Sequence, residues 1–580
     1  MVVPSKDGCW VFVSLTGGRG GHAGMAVLQR SNGQIRLSRV VPLESAPTGI
    51  ALTHDGRLLI AAAGNSEVFL DVQQMTSGGD KPVAGSLGGG RGSIYANVTA
   101  DDRLLFISEE GAATITVIDL ERARRAGYTE EAIIGKIPVG LAPIALTFSH
   151  DGKWLYTTSE GAMPDWNWPK ACKPEGANVP DTIITRPEGA VVVVDVERAK
   201  TDPAHAVKAR IPAGCSPVRM AISPKGDQIY VTARNSNAVV AFDTARLISD
   251  SQHAQIAMAP AGDAPVPVAV LDGGKTLIAG NSNRFAGGDA PQSLVVLDAE
   301  RIRDGMGAVV GIVPAGSFPR EMSVSSDGRT LFLTNFGSQT LQVMDVKHLP
   351  VDKTLPPEIA ANAAALTHRG EHKPVTVDPK VLASYEGVYQ IDKGPAMVVW
   401  ADGSDLKVRM GIQMDFTAIP ASENTFFLPT GLLIEFPKGH ARPDFVTVHQ
   451  GKEDSTAKRM GDAAAKGIVE AAAAFDKRLK EQKPAPGSEQ ALRKLVSDLQ
   501  AGKPDESMIS ANGYLHEQLA NVQEEVKGLG TVQSIEFQRV GPAGPDIYLV
   551  KSDRGSRVVR IWLAPDGKVQ SLILQPGQAQ

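Results

Sequence analysis

The sequence predicts a mainly β protein: a seven-bladed β-propeller, a small antiparallel β-barrel domain and a C-terminal α+β domain. A four-strand unit repeats seven times in residues 1–349, strand-like runs without that repeat fill 377–461, and helical runs precede four strand-like runs in 488–580. Residues 350–376 resemble a linker in composition, and 462–487 a helix with a linker. We expect the domain boundaries to follow these ranges.

Bulk composition excludes several classes of protein. The chain has 580 residues, more than a single hydrophobic core usually supports. Its net charge of −5 and pI of about 6.2 provide no basic footprint for nucleic acid. No apolar run reaches the ~18 residues that a membrane span needs. We therefore expect no nucleic-acid partner and no membrane span.

The repeat is clearest in residues 311–346, where an Asp-Gly turn at Asp327 joins two apolar, β-branched runs. Asp-Gly between such runs is a strong hairpin signal, because Gly accepts the positive φ of the turn. Similar turns recur mostly 46 to 55 residues apart, starting at Asp7, Asp55, Asp101, Asp151, Lys225, Asp272 and Asp327. Four strands per ~40–50 residues is the period of a propeller blade, so seven turns predict seven blades.

The other strands of the unit follow a fixed order. The strand after each hairpin usually ends in Asp, as at Asp119 and Asp195. A further strand then leads into a Gly-x-x-Pro corner, as in 140–143 and 214–217. A blade buries both of its faces only against its neighbours, so the units favour a closed ring over a sandwich.

One copy of the unit carries a family resemblance. The peptide Tyr-Val-Thr-Ala-Arg-Asn-Ser-Asn at 230–237 resembles the YVTN repeat of bacterial propellers related to seven-bladed lactonases, with Ala233 where the repeat name has Asn. The resemblance covers about residues 1–349 and implies the propeller fold. It implies no single activity, since this fold carries many unrelated functions.

The first blade begins almost at its hairpin turn. Only residues 1–4 remain for its innermost strand, and they contain no signal peptide. We hypothesise that the natural start lies upstream, with the missing strand and a signal peptide. The protein would then be periplasmic or secreted; it would be cytoplasmic if the given start is real.

One face of the propeller gathers the unusual loops. In a four-stranded meander, the loop between the second and third strands and the loop between blades emerge together. This rule places four segments on one face: 17–24, 88–92, the insertion 161–189 and 280–288. Candidate catalytic residues there are His22, Arg219, Arg320 and Glu321; candidate ligand-binding residues are Arg91, Glu109, Glu160, Trp166, Trp168, Asn283 and Arg284.

The insertion also holds Cys172, and Cys215 lies in the following blade-to-blade loop. Both should therefore lie on the same face. A Cys172–Cys215 disulfide would form there in an oxidising compartment. The alternative is two unrelated thiols.

Two functions fit this face. The first is an extracytoplasmic binding protein that recognises a small ligand or a cell-envelope partner. The second is a lactonase-like hydrolase, in which His22 and a pocket arginine would act on an ester carbonyl. Against both, the charged residues could be solvated or could pair between blades, and the tryptophans could anchor the insertion. No metal site or cofactor is predicted, and convergent charged side chains at the channel floor would favour the enzyme.

Residues 377–461 predict a small antiparallel barrel or curled sheet. The order Tyr385-x-Gly-x-Tyr389, then Thr425-Phe-Phe427, and a late Val-x-His-Gln450 strand resembles the lipocalin-like accessory domain found after secreted β-lactamase-like serine hydrolases. The hydrolase itself is absent from this chain. The resemblance therefore implies an accessory role only.

The C-terminal region predicts helices at 463–482, 489–499 and 514–527, then strands at 532–537, 546–550, 557–562 and 569–574. Alternating polar and apolar residues suit a sheet with one face against the helices. Helices followed by an antiparallel sheet, with the closing hairpin at 563–567, resemble a ketosteroid-isomerase-like cone. No acid or base could be assigned, so a binding or packing role is favoured.

Overall fold

A computed structural model describes the chain except residues 18–21, 32, 177–178, 181, 286–291, 368–374, 393, 412–414, 440–441, 451–452, 512, 542–543, 565 and 577–580. The chain separates into two compact units, Met1–Pro374 and Val375–Gln580.

The first unit is a β-propeller whose blades are antiparallel meanders. Blade 1 contains β1 (Val2–Pro4), β2 (Trp10–Leu15), β3 (Gly24–Ser31) and β4 (Gln34–Pro42). Blades 2 and 3 contain β5 (Gly49–Leu52), β6 (Leu58–Ala62), β7 (Gly64–Asp71), β8 (Val83–Val98), β9 (Leu104–Glu109), β10 (Thr114–Asp119) and β11 (Ile133–Pro138). The mainly β fold class predicted from the sequence is confirmed.

The segment 88–92, predicted as a loop, is instead part of strand β8. This 16-residue strand is the outermost strand of blade 2 and the innermost strand of blade 3, so the two blades form one seven-stranded sheet. Gly89 and Gly92 have φ of +93° and +73°, a conformation that Gly adopts without a Cβ penalty. They bend the strand as it passes from the rim of one blade to the axis of the next.

The remaining blades repeat the meander. Blade 4 contains β12 (Leu141–Phe148), β13 (Trp154–Gly161), the small hairpin β14 (Lys170–Cys172) and β15 (Arg186–Pro187), then β16 (Ala190–Asp195) and β17 (Val207–Pro212). Blade 5 contains β18 (Pro217–Ile222), β19 (Gln228–Ala233), β20 (Ala238–Asp243) and β21 (Gln255–Pro260). Blade 6 contains β22 (Pro265–Leu271), β23 (Thr276–Asn281), β24 (Gln292–Asp298) and β25 (Val309–Ala315). Blade 7 contains β26 (Pro319–Val324), β27 (Thr330–Asn335) and β28 (Thr340–Asp345).

The seven blades close into a ring. Strand β1 contacts both β5 of blade 2 and β26 of blade 7. Val2, Val11 and Phe332 pack together between blades 1 and 7. The short segment at the start of the chain therefore serves as the innermost strand of blade 1, whereas blade 7 has three strands among the described residues.

A hydroxyl group links several neighbouring blades. The second strands of blades 3, 4 and 5 each donate a side-chain hydrogen bond to a carbonyl in the next innermost strand. The pairs are Ser108 to Ile144 (2.9 Å), Thr158 to Val218 (2.9 Å) and Thr232 to Val266 (2.7 Å). These bonds satisfy buried carbonyls at the bulges of the innermost strands.

The Asp that ends many third strands caps a helix or turn. Short helices follow in four blades: α1 (Val72–Ser77), α2 (Leu120–Arg125), α3 (Val196–Ala199) and α4 (Arg246–Ser249). The Asp71, Asp119 and Asp195 side chains accept a backbone N–H at the start of the first three. Such N-caps stabilise a helix by about 1 kcal/mol.

The segment 350–376, predicted as a linker, contains helix α5 (Pro357–Thr367). Its Ile359 is fully buried among residues of blades 5 and 6. The Asn362 amide donates to the carbonyl of Ala261 at 2.9 Å. The helix is therefore packed onto the propeller.

The second unit begins with α6 (Pro379–Ser384) and a closed eight-stranded barrel. The barrel strands are β29 (Gly387–Ile391), β30 (Ala396–Asp402), β31 (Asp405–Met410), β32 (Asp415–Pro420), β33 (Thr425–Phe427), β34 (Leu433–Glu435), β35 (Phe445–Gln450) and β36 (Glu453–Arg459). Tyr385, Tyr389, Phe426 and Phe436 fill its core. The lipocalin-like assignment remains a prediction.

The C-terminal part of this unit contains α7 (Asp462–Glu481), α8 (Ser488–Gln500), α9 (Tyr514–Glu517), α10 (Leu519–Lys527) and a four-stranded sheet. The strands are β37 (Val532–Val540), β38 (Asp546–Ser552), β39 (Gly555–Leu563) and β40 (Val569–Pro576). Leu492, Leu495 and Val526 of the helices pack against Tyr548 and Val559 of the sheet. The ketosteroid-isomerase-like assignment also remains a prediction.

Candidate functional site

Three side chains meet at one level of the propeller channel because they occupy equivalent positions in their blades. Tyr95, Arg219 and Glu321 each follow a bulge in an innermost strand, in blades 3, 5 and 7. Their partners in the second strands are all hydroxyl residues: Ser108, Thr232 and Thr334. Equal register places the three side chains at equal height.

Arg219 and Glu321 form an ion pair inside the channel. Arg219 Nε lies 2.8 Å from Glu321 Oε2, and both residues are buried, with 7% and 6% exposure. Since strand β22 lies between their strands in the ring, the pair spans the channel past blade 6. The Arg219 guanidinium also lies 5.2 Å from the centroid of the Tyr95 ring. Blades 3, 5 and 7 are thereby connected across the axis.

The environment of this pair favours the charged form of Arg219. Burial acts to lower the pKa of Arg219, but Glu321 and then Tyr95 oppose it, so the pKa stands above its ordinary value. Burial, followed by Glu321, raises the pKa of the Tyr95 hydroxyl. A neutral tyrosine and a charged pair therefore form the floor of the channel mouth.

A second level of side chains, three of them charged, lies at the ends of the second strands. Glu160, Arg234 and Phe336 are equivalent, because each follows the residue that pairs with the corner proline of its innermost strand. Glu110 has the corresponding position in blade 3, after the residue that pairs with Ser93. Arg234 lies 3.0 Å from Glu160 and 2.7 Å from Glu175. These three side chains are only 6%, 13% and 15% exposed. Burial raises the pKa of Glu160, and Glu175 and Glu110 add to this effect against the opposing charge of Arg234.

Two further arginines flank one aromatic ring. The guanidinium carbons of Arg284 and Arg320 lie 5.9 Å and 5.8 Å from the centroid of the Phe318 ring. Arg320 also lies 5.1 Å from the Phe336 ring, which meets Phe318 edge to face at 5.5 Å. We call Arg284, Arg320, Phe318 and Phe336 the cationic rim.

Carboxylates act on the arginines of the cationic rim only at longer range, Glu321 on Arg320 and Glu175 on Arg284. Within the part of the chain that the structure describes, neither Arg284 nor Arg320 has a carboxylate within 4 Å, although Arg234 is held by two. Burial, followed by the neighbouring Arg219, lowers the pKa of Arg320 to about 10. The pKa of Arg284 is lowered by burial and then by Arg234. Arg320 nonetheless remains charged at neutral pH.

Phe318 has a left-handed backbone conformation. The residue before the proline corner has positive φ in blades 4 to 7: Ala142 (47°), Ser216 (52°), Ala264 (50°) and Phe318 (50°). A left-handed backbone is strained for a bulky residue. Three of the blades use a small residue there, and only at the rim does a phenyl ring take the place. Strain of this kind concentrates at binding sites.

Of the predicted catalytic residues, the structure brings Arg219, Glu321 and Arg320 together and leaves His22 apart. The His22 side chain is exposed and has no hydrogen bond or ion pair to these three among the described residues. Part of its loop, 18–21, lies outside those residues. Acid–base chemistry by His22 therefore stays a prediction.

Several predicted ligand-binding residues have other partners. Glu109 is buried and accepts bonds from Thr114 (2.9 Å), Thr116 (2.7 Å) and Lys136 (2.6 Å), all within blade 3. Arg91 is exposed on the bend of β8. Glu109 therefore stabilises its own blade.

The tryptophans and Asn283 have structural surroundings. The Trp166 and Trp168 rings lie 5.2 Å apart and pack against the buried core between blades 3 and 4. Arg210 stacks on Trp166 at 5.0 Å. The Asn283 backbone N–H donates to Asp263 at 3.0 Å and leads into Arg284. The tryptophans thus anchor the insertion. In the loop 280–288, which holds Asn283, residues 286–288 lie outside the described residues.

A disulfide joins Cys172 and Cys215, the pair that the sequence singled out, with their Cα atoms 5.6 Å apart. It fixes the hairpin of β14 and β15 to the loop before blade 5. Cys9 is a free, exposed thiol.

Five residues of the site were not predicted from the sequence: Tyr95, Glu175, Arg234, Phe318 and Phe336. Arg234 lies in the repeat peptide directly after strand β19, and Phe318 directly precedes the proline corner. Aligning the blades at these positions would have found both. Glu175 left no such signal, because the insertion has no counterpart in the other blades.

The opposite face of the propeller has different chemistry. A cavity of about 500 Å³ lies beside the hairpin turns of blades 3 and 4, lined in part by Asn97, Phe148, His150 and Lys200. In the described portion of the chain, no cluster of three or more His, Cys, Asp or Glu residues could hold a metal ion. None of the helices described above is long and apolar enough to cross a membrane.

Comparison with known proteins shows similarity to solved structures only. No protein-family model matches the sequence, and no curated protein matches it. One similar structure is Kuenenia stuttgartiensis hydrazine synthase, with 18% identity over 60% of this chain and 95% of that one, and a TM-score of 0.44. Another is a periplasmic gluconolactonase of Pseudomonas aeruginosa, with 18% identity, 60% and 95% coverage and a TM-score of 0.44. A putative 6-phosphogluconolactonase of Bacteroides uniformis has 16% identity, 59% and 93% coverage and a TM-score of 0.43.

These likenesses carry no argument about activity. The assignment of the propeller rests on the strand pairing described above.

Proposed function

We propose that the mouth of the propeller channel binds a small anionic ligand that carries a carboxylate or a phosphate group. One observation carries the proposal: Arg284 and Arg320 flank the Phe318 ring, and neither has a carboxylate within 4 Å in the described structure. Arg320 is half-buried, and a charged group that is partly removed from water without a close partner is costly. Arg284 is exposed and adds a second positive charge at the same ring. An anion between the two guanidinium groups would offset that cost.

The residue types suit such a ligand. Arginine forms planar, paired hydrogen bonds with carboxylates and phosphates, which lysine does not match. The faces of Phe318 and Phe336 hold both guanidinium groups in place and leave apolar surface for the rest of the ligand. Phe336 is 45% exposed, so this surface is open to solvent.

A second candidate function is hydrolysis of a lactone at the same site. Burial raises the pKa of Glu160, which brings this carboxyl closer to the range of a general base. Arg234, in contact with it, could stabilise the developing oxyanion. Charged side chains converge on the channel floor, the feature that the sequence analysis expected of an enzyme. Lactones are tested first because the repeat peptide resembles that of lactonase propellers.

The location of the protein is a separate proposal. We propose an oxidising compartment, such as the periplasm, because disulfides persist there and are rare in the cytosol. The Cys172–Cys215 bridge supports this proposal. Recognition of a cell-envelope partner remains a prediction from the loop-rich face.

Titration calorimetry with inorganic phosphate and with citrate tests anion binding. Arg320→Gln removes one charge of the cationic rim, and Arg329→Gln is the matched control, since Arg329 is exposed at the opposite end of the same hairpin. We expect at least tenfold weaker binding for Arg320→Gln and no change for Arg329→Gln. Equal affinity in all three proteins would contradict the proposal.

A further inference from the structure

The insertion of blade 4 delivers one carboxylate into the channel mouth. The connection between the second and third strands is longest in blade 4, where the chain leaves at Gly161 and returns at Ala190. Within this segment, Glu175 binds the Arg234 guanidinium through both of its carboxylate oxygens. Its Oε1 accepts from Arg234 Nε at 2.9 Å and from Nη2 at 2.7 Å, and its Oε2 lies 2.7 Å from Nη2.

This geometry is the one by which arginine holds a carboxylate ligand. Glu175 belongs to no strand or helix of the blade, and it reaches Arg234 from a separate segment of the chain. Arg234 keeps a second partner, Glu160, at 3.0 Å. Loss of the Glu175 contact would therefore leave Arg234 paired once and its Nε free to bind another anion.

The disulfide holds Glu175 in this place. Cys172 lies three residues before Glu175 and is bonded to Cys215 of the loop before blade 5. The Asn235 amide reinforces the attachment, since it donates to the carbonyl of Lys173 at 2.6 Å. The hairpin itself pairs Lys170 with Pro187 and Cys172 with Arg186.

Glu175 also changes the electrostatic field of the cationic rim. Arg284 interacts electrostatically with Arg234, Glu175 and Glu160, so the cationic rim and the Arg234 cluster form one field. With Glu175 in place, two carboxylates neutralise Arg234. Without Glu175, the mouth would keep its three arginines, Arg234, Arg284 and Arg320, but lose one negative charge.

We propose that Glu175 is a tethered competitor of the ligand: it occupies Arg234, which would otherwise add its charge to the cationic rim that binds the ligand's anionic group, and the Cys172–Cys215 disulfide keeps it there. This inference rests on the proposed anion site. It adds that Glu175 determines affinity and that reduction of the disulfide strengthens anion binding, because the released insertion no longer holds Glu175 at Arg234.

The test is titration calorimetry of the full chain with inorganic phosphate. Glu175→Gln keeps the size of the side chain and removes its charge; Glu197→Gln is the control, because Glu197 lies on the helix α3 at the opposite face with 83% of its side chain exposed. We expect at least tenfold tighter binding for Glu175→Gln, the same direction for Cys172→Ser/Cys215→Ser, and no change for Glu197→Gln. The cysteine variant keeps the test valid if Glu175→Gln fails to fold.

The other outcomes separate the two proposals. If the wild type binds phosphate and Glu175→Gln binds it equally or more weakly, the competitor role is overturned while the anion site stands. If neither protein binds phosphate, both proposals are overturned, because a mouth with Arg234 released should then bind most strongly.

Discussion

Arg219 and Glu321 form an ion pair at 2.8 Å across the propeller channel. They are 102 residues apart in the sequence, and blade 6 lies between their blades in the ring. Both are buried, so each charge depends on the other for compensation. The pair therefore connects blades 5 and 7 and forms the floor beneath the proposed ligand site.

Breaking this pair should destabilise the propeller. Removal of one partner from a buried ion pair typically costs about 3–5 kcal/mol, because the other charge stays buried alone. We expect Glu321→Gln to increase hydrogen exchange in peptides from β18 and β26. Asp304→Asn breaks the exposed Arg301–Asp304 pair and should cost less than about 1 kcal/mol. Similar exchange in both variants would show that the channel pair contributes little.

Stability should fall between acidic and neutral pH because of Glu67. This carboxyl is buried, and burial raises its pKa to about 7 against the opposing hydrogen bond from Ser93 (2.7 Å). The ordinary value in an unfolded chain is about 4.3. Between these values the folded state binds the proton more tightly, so stability is lost as the pH rises toward 7, by roughly 3 kcal/mol.

The Glu67→Gln variant isolates this effect. It keeps the hydrogen bond from Ser93 but cannot ionise, so its urea midpoint should exceed that of the wild type at about pH 8 and approach it at about pH 5. Circular dichroism at both pH values measures the midpoints. An equal difference at the two pH values would exclude Glu67 as the titrating group.

Reduction of the Cys172–Cys215 bridge should free the insertion. The bridge closes a 43-residue separation, for which chain entropy predicts a contribution of about 4 kcal/mol. We expect trypsin to cut after Lys170 rapidly after reduction and slowly before it, because the other basic residues of the insertion, Lys173 and Arg186, precede proline and resist trypsin. Limited digestion followed by mass spectrometry gives the sites; the same cleavage rate in both states would mean that the tryptophan anchors suffice.

Turnover tests the lactonase alternative. If Glu160 is the general base, Glu160→Gln should lower kcat/KM for a responsive lactone about 10²–10⁴-fold. Glu121→Gln is the control, since Glu121 is exposed on helix α2 at the opposite face. Unchanged turnover in Glu160→Gln would remove Glu160 from the mechanism, and a lactone panel without turnover would remove this candidate function.

The sequence predicts the propeller because its signals are local and repeated. The turn at Asp327 and its equivalents give the blade period, and the Asp residues that end third strands are helix or turn caps. These patterns do not reveal where a strand contains a β-bulge. Sequence alone therefore could not show that Tyr95, Arg219 and Glu321 share one level of the channel.

Long-range contacts were the main omission at the site. Glu175 and Arg234 are 59 residues apart, and Glu175 lies in an insertion without a counterpart in other blades. The Gly-rich segment 88–92 was predicted as a loop because glycines usually mark loops, yet it continues strand β8 through two left-handed residues. Helix α5 was concealed by an Ala-rich composition that resembles a linker.

Calorimetric titration of inorganic phosphate and citrate into Arg284→Gln/Arg320→Gln, Arg329→Gln and the wild type tests the central claim most directly. The wild type and Arg329→Gln should bind saturably with the same affinity, and the double variant should lose at least a factor of about ten, or about 1.4 kcal/mol. Equal affinity in all three proteins, or no binding by the wild type, would contradict an anion site at the cationic rim.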